Sequence, residues 1–255
     1  MLIAAWVALL SAAPANAATR SGKLETPPPA TAPAAPETRS GVLTLAGGAY
    51  AYLPKGLDGS PRPLLVVLAG ARDSASDLLA AYRTHADRHR FLLLIPTGQL
   101  PGSWDMIEDL KSRLGAEFNV QPRYGRDLAN IDRALADVFA RAAVDPKRIG
   151  VIGFSNGATY ALSIGTANPQ LFGTVIALSP GPAYPTRFDK AQRVFVSHGE
   201  KDGVLPFDNA RAIVARMRGR GMTVEFERFD GNHEVPRALF EKAIAFFVAG
   251  EPAAP

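Results

Sequence analysis

From residue 42 onward the chain alternates between short, nearly uninterrupted apolar runs and longer segments in which apolar residues recur every three or four positions. The first pattern is that of strands buried on both faces, the second that of helices with one face against a core. Read this way, strands are expected at 42–45, 49–53, 64–68, 91–95, 149–152, 174–178, 193–197 and 223–229. Helices are expected at 74–89, 128–143, 158–167, 208–218 and 236–249. Leu128, Ile131, Leu135, Val138 and Phe139 mark the buried stripe of the second helix. Gly47-Gly48 between the first two strands reads as a hairpin turn. Strands that alternate with helices predict an α/β fold with a mainly parallel central sheet and helices on both faces. Only a short Pro- and Gly-rich connection, 179–192, separates the strands at 174–178 and 193–197, so no large cap domain is expected. Residues 97–125 show no period, and a loop of that length in a compact domain is expected to form one wall of a site.

The N-terminal portion departs from this pattern. Residues 2–13 are apolar but short for a membrane span, and Ala15-Asn16-Ala17 has the small-x-small form of a signal-peptidase site. Residues 1–17 are therefore expected to be a signal peptide, although no Lys or Arg precedes the apolar run. Residues 18–40, which include Pro27-Pro28-Pro29, contain almost no large apolar residue and are expected to be a disordered linker. That leaves 41–255 as the folded domain, in a protein expected to be secreted or periplasmic.

Composition narrows the chemistry. The absence of cysteine excludes disulfides and thiolate chemistry. The net charge of +4 comes from 28 basic and 24 acidic residues, with the arginines interleaved among acidic and apolar positions. This suits a solvated face better than a nucleic-acid groove, so no nucleic-acid partner is expected. Nor is a membrane span expected in the mature protein.

The reactive candidates lie just after strands, where an open α/β sheet gathers its functional groups. Gly153-Phe154-Ser155-Asn156-Gly157 follows a β-branched run and precedes a small-residue helix, the setting of a nucleophile elbow, although the pentapeptide alone is equally compatible with a turn serine. Ser197 to Asp202 follows a second strand, and Gly231-Asn232-His233 follows the last. A serine nucleophile needs a base of near-neutral pKa and a carboxylate to orient it, and Ser155, His233 and Asp202 are the residues expected in those roles. Glu200, Asp208 and Asp230 compete with Asp202, and His198 competes with His233. His198 is expected to support the acid's loop. His85 and His89 share a helix face but lack the acid of a zinc-binding H-E-x-x-H and sit among arginines, so no metal or other cofactor is expected. An oxyanion hole would use the backbone N–H of Asn156 and of Ala71, the latter in the turn after the strand at 64–68. Trp104 and Tyr184 are candidates to line the substrate cleft.

The order Ser, Asp, His is that of the α/β-hydrolase triad. Together with Leu178-Ser179-Pro180-Gly181, His198-Gly199 and Leu205-Pro206, and Phe229-Asp230-Gly231-Asn232-His233, it makes residues 42–249 resemble the α/β-hydrolase superfamily. Within that superfamily the chain is similar to the small serine esterases of the phospholipase/carboxylesterase and polyhydroxybutyrate-depolymerase-like type. The resemblance implies a cap-free hydrolase that cleaves small or polymer-borne carboxylic esters through an acyl-enzyme, without a cofactor. Peptide hydrolysis, or ligand binding without turnover, are the alternatives. Two positions depart from the group: Ala69-Gly70 stands where His-Gly is common, and Asn156 where Asp often follows the nucleophile. The first is expected to alter support of the oxyanion turn and not the class of reaction.

Overall fold

The computed structural model describes residues 21–100, 102–108 and 122–250. The expected signal peptide, 1–17, and the first part of the expected linker lie outside the described residues. Eight strands form one sheet: β1 (Gly41–Thr44), β2 (Tyr50–Leu53), β3 (Arg62–Leu68), β4 (Leu92–Ile95), β5 (Val144–Phe154), β6 (Thr174–Leu178), β7 (Arg193–Gly199) and β8 (Val224–Phe229). Their spatial order is β1-β2-β4-β3-β5-β6-β7-β8. The β1–β2 and β2–β4 pairs are antiparallel, and every other pair is parallel. A single turn of 3-10 helix, Ala46–Gly48, closes the expected hairpin, with Thr44 opposite Tyr50.

Among the described residues the sheet is flanked by helices α1 (Ala75–His89), α2 (Arg126–Arg141), α3 (Asn156–Ala167), α4 (Phe207–Gly219) and α5 (Arg237–Val248). Side chains alternate across a strand, so each apolar run feeds both faces. In β3, Leu64, Val66 and Leu68 enter one core cluster and Leu65 and Val67 the other. The first cluster takes Leu128, Ile131, Leu135 and Val138 from α2, with Ile164 of α3 and Ile213 of α4. The second takes Leu78, Tyr82 and Ala86 from α1, with Ala243, Ile244 and Phe247 from α5. Each large aliphatic side chain buried this way contributes about 1.5–3 kcal/mol. α1 starts at a reciprocal cap in which Ser74 Oγ accepts from the Asp77 N–H and the Asp77 carboxylate accepts from the Ser74 N–H. Among the described residues no helix is long and apolar enough to cross a membrane.

β5 is longer than its apolar run, because Arg62 pairs with Val144 ahead of a register shift that brings Leu64 opposite Ile149. The described part of the Pro-rich segment differs more from expectation. Leu24 is 3% exposed and belongs to the first core cluster. Its N–H donates to Asn168 Oδ1 at 2.8 Å, and Asn168 Nδ2 donates back to the Gly22 carbonyl at 2.9 Å. Asp132 Oδ1 accepts the N–H groups of Glu25 and Thr26, and Glu37 N–H donates to the Arg141 carbonyl. Residues 22–37 thus run along the domain as a seated strap. Proline restricts the unfolded chain in advance, so a Pro-rich segment loses less entropy on ordering, and one leucine with a few paired amides can hold it.

Candidate active site

β5 ends at Phe154 and α3 begins at Asn156, leaving Ser155 alone to turn the chain. Its φ of 56° and ψ of −126° lie in a region that L residues rarely occupy, and its N–H is fixed by the Leu178 carbonyl of β6 at 3.0 Å. The turn is tight enough that a Cβ on Gly153 would run into the Gly157 carbonyl, and one on Gly157 into the carbonyls of Leu68 and Ala69. The two glycines therefore let the elbow close on itself and let α3 press against the end of β3.

Three loops at the carboxyl edge of the sheet bring Ser155, His233 and Asp202 together. His233 Nε2 is 2.9 Å from Ser155 Oγ, and His233 Nδ1 is 2.7 Å from Asp202 Oδ2. With Nδ1–H donating to the carboxylate, Nε2 carries the lone pair that faces the serine hydroxyl. The Phe154 ring packs against the imidazole, centroids 4.8 Å apart, and limits its tilt. Asp202 Oδ1 accepts the N–H groups of Val204 at 2.9 Å and Leu205 at 2.8 Å. Burial pushes the Asp202 carboxyl up, but the hydrogen bonds from His233, Leu205 and Val204 outweigh it and hold the group below its ordinary value.

The competing candidates are placed elsewhere. Glu200 pairs with Arg228 at 3.4 Å, Asp208 with Arg211 at 3.1 Å and Asp230 with Lys201 at 2.5 Å, all at partly or largely exposed positions. His198 is fully buried at the end of β7, its Nε2 2.9 Å from the Leu205 carbonyl and 3.1 Å from Asp202 Oδ2. It braces the acid's loop, as expected. His85 packs edge-on against Phe240 with Glu241 3.6 Å from its Nδ1, and burial lowers its pKa.

The amides of Asn156 and Ala71 have no protein acceptor among the described residues, as an oxyanion hole requires. Gly70 N–H, the neighbouring possibility, is already taken by Asp73 Oδ2 at 2.8 Å. Trp104 and Tyr184 are the residues expected to line the substrate cleft. Trp104 is 2% exposed, stacks on Tyr160 with centroids 4.9 Å apart, and donates Nε1–H to the Ala69 carbonyl at 3.0 Å. It supports the oxyanion turn from beneath, where a pocketed aromatic would otherwise leave a buried N–H unpaired. Tyr184 packs against the first core cluster, and its N–H donates to Ser163 Oγ. A cavity of about 160 Å³ lies on the β4 side of the turn, lined in part by Gly70, Asp73, Leu78, Ile95 and Trp104; no member of the triad lines it.

The described parts of the long loop after β4 are tied together by two carboxylates that the sequence does not single out. Asp105 accepts the N–H groups of Met106, Gly125 and Asp127, and Asp127 those of Gln99 and Asp105. Asp127 is fully buried, and burial pushes its carboxyl up. Residues 109–121 of this loop lie outside the described residues. An aspartate next to a Gly-rich bend was the available signal, but the partners sit about twenty positions apart and cannot be matched without the fold.

A mostly parallel sheet flanked on both faces, with Ser155 after β5 and Asp202 and His233 after β7 and β8, defines the α/β-hydrolase fold. Residues 126–249 match the model of the phospholipase/carboxylesterase family. NocK of Nocardia uniformis subsp. tsuyamanensis, a protein designated an esterase, is 27% identical over 223 residues. That match takes in 76% of this chain and 62% of NocK, so the chain spans less than two thirds of the relative's length. The structure of esterase PE8 superposes with a TM-score of 0.58 at 23% identity, covering 80% of this chain and 98% of PE8. S-formylglutathione hydrolase FrmB from Staphylococcus aureus gives 0.60 at 12% identity, covering 85% and 99%. The chain thus has the α/β-hydrolase fold, and its C-terminal half is similar to the phospholipase/carboxylesterase family.

Proposed function

We propose that the protein hydrolyses carboxylic esters through an acyl-enzyme on Ser155. The observation that carries this reading is the relay Asp202–His233–Ser155, at 2.7 and 2.9 Å, on a strained elbow beside two unengaged amides. Ser155 Oγ attacks the ester carbonyl as its proton passes to His233 Nε2, and Asp202 stabilises the imidazolium. The carbonyl oxygen becomes an oxyanion held by the Asn156 and Ala71 N–H groups, each worth about 2.7–4 kcal/mol in the transition state. Collapse of this intermediate breaks the bond to the alcohol oxygen, which takes the proton from His233 and departs. Water, deprotonated by the same imidazole, then attacks the acyl-enzyme, and the carboxylic acid leaves with Ser155 restored. The expected leader at 1–17 would take this activity to the periplasm or beyond.

The test is hydrolysis of p-nitrophenyl esters of graded acyl length by the wild type and Ser155→Ala, with fluorophosphonate labelling of both. Loss of the nucleophile typically costs about a millionfold in kcat. Turnover and labelling by the wild type alone support the reading. Equal inertness of two folded proteins, with no label on Ser155, overturns it in favour of a binding protein.

A further inference from the structure

The oxyanion turn is restrained at three successive residues. The Ala69 carbonyl accepts from Trp104 Nε1, and Gly70 N–H donates to Asp73. Ala71 is held from the other side by a close approach: Gly102 lies against its carbonyl so tightly, at φ 70°, that a Cβ on Gly102 would run into that oxygen. Gly102 belongs to the loop after β4, not to the turn, so this third restraint is only as firm as whatever fixes Gly102. The Ser103 N–H closes a turn around it by donating to the Leu100 carbonyl, and a side chain from the elbow ties it from across the cleft. Asn156 Nδ2 donates to the Gly102 carbonyl at 2.8 Å.

Asn156 is the residue after the nucleophile, where the resembling group often carries Asp. The other end of its amide, Oδ1, is buried and has no hydrogen-bond partner among the described residues, where the side chain's bond is the one to Gly102. An amide turned the other way would set oxygen against oxygen, which fixes the donor toward Gly102. An ionised carboxylate at this position has the same shape but no donor, and would face the Gly102 carbonyl with a negative charge.

We propose that Asn156 serves the oxyanion hole twice: its backbone N–H is one donor, and its side chain is a positioning group for the other. By holding Gly102 against Ala71 it fixes the Ala71 N–H in the direction of the developing oxyanion. This inference rests on the esterase reading and deepens it. It explains why Asn stands in place of Asp, because in this chain the loop after β4 offers a carbonyl to the elbow and only a donor can receive it. A preset donor needs no reorganisation when charge appears, so loosening it acts on the transition state more than on substrate binding.

The experiment compares kcat and KM for p-nitrophenyl acetate across pH 5–9 in the full chain, in Asn156→Asp and in Asn156→Ala, with thermal melts to confirm folding. Asn156→Asp should lower kcat by about 10–100-fold at pH 8, part of the roughly 10²–10³ lost when an oxyanion donor is removed outright, with KM within about threefold. Its activity relative to wild type should rise as the pH falls, because the new carboxyl on protonation again has a donor for Gly102. Asn156→Ala should lower kcat with a ratio to wild type that is flat in pH, and it provides the answer if the aspartate variant does not fold. Wild-type kcat in the alanine variant, or a kcat loss in the aspartate variant whose ratio to wild type does not change with pH, overturns the proposal while the esterase reading stands. A wild type that neither turns over nor labels at Ser155 removes the esterase reading and the proposal together.

Discussion

Leu24→Ala tests whether the N-terminal strap is part of the folded domain. Leu24 is 3% exposed within the first core cluster, and the amide that carries it is bonded to Asn168. Truncating a buried leucine costs about 2.7–5 kcal/mol, and the lower end applies where the surrounding structure can relax into the space. A strap lying over the surface of the core can do so, which sets the expectation at about 3 kcal/mol. For a domain of this size each kcal/mol moves the melting temperature by about 2–4 °C, so a decrease of about 6–12 °C is expected. Thermal unfolding of the full chain followed by circular dichroism gives the measurement, with Thr31→Ala, at an exposed strap position, as the control expected to melt with the wild type. The same variant should keep its kcat at 25 °C, since Leu24 touches no group of the triad. A melting temperature within about 2 °C of wild type would refute the seated strap and restore the linker expected from composition.

Other outcomes follow from the site. In Asp202→Asn the side-chain oxygen can keep both loop amides, which bond Oδ1, while the new NH2 replaces Oδ2 and points at His233 Nδ1. That forces the proton onto Nε2, facing Ser155, and kcat should fall by about 10⁴, or roughly 5.5 kcal/mol, with the fold retained. A loss smaller than tenfold in ester hydrolysis would remove Asp202 from the orienting role. The same carboxyl, held below its ordinary value, contributes stability that is fully present above the unfolded-state value of 3.8 and is lost as the pH falls through the lower folded-state value. Acid unfolding of Asp202→Asn should therefore be less steep than that of wild type in this range, and identical slopes would contradict the assigned shift. Asp127, whose pKa burial raises, acts in the opposite direction in both proteins and cancels in the comparison.

What the sequence determined by itself is what depends on neighbours within a few positions. The unbroken apolar run at residues 64–68 marks a strand buried on both faces and the three-to-four spacing in residues 128–139 a helix buried on one, so the strands, helices and α/β class were legible. Gly153 announces a tight turn for a steric reason local to the elbow, its near contact with Gly157, whereas the need for Gly157 comes from Leu68 and Ala69 of a distant strand end. The order Ser155, Asp202, His233, each just past a strand, was enough to gather them on one edge, because parallel strands all end there.

The tertiary structure decided what depends on partners far along the chain. That the Trp104 indole is bonded to a carbonyl 35 positions away is not legible in the sequence, and Leu24 reads as an incidental residue in a linker until its amide meets Asn168, 144 positions away. Asn156 stands in the sequence as a departure with no evident reason, and only the loop that crosses in front of it supplies the carbonyl that its side chain meets. Local propensity is set by sterics over a few bonds, whereas a hydrogen bond between distant segments exists only once packing has fixed both ends. The strands and the elbow belong to the first kind of information; the supports of the oxyanion turn and the seat of the strap belong to the second.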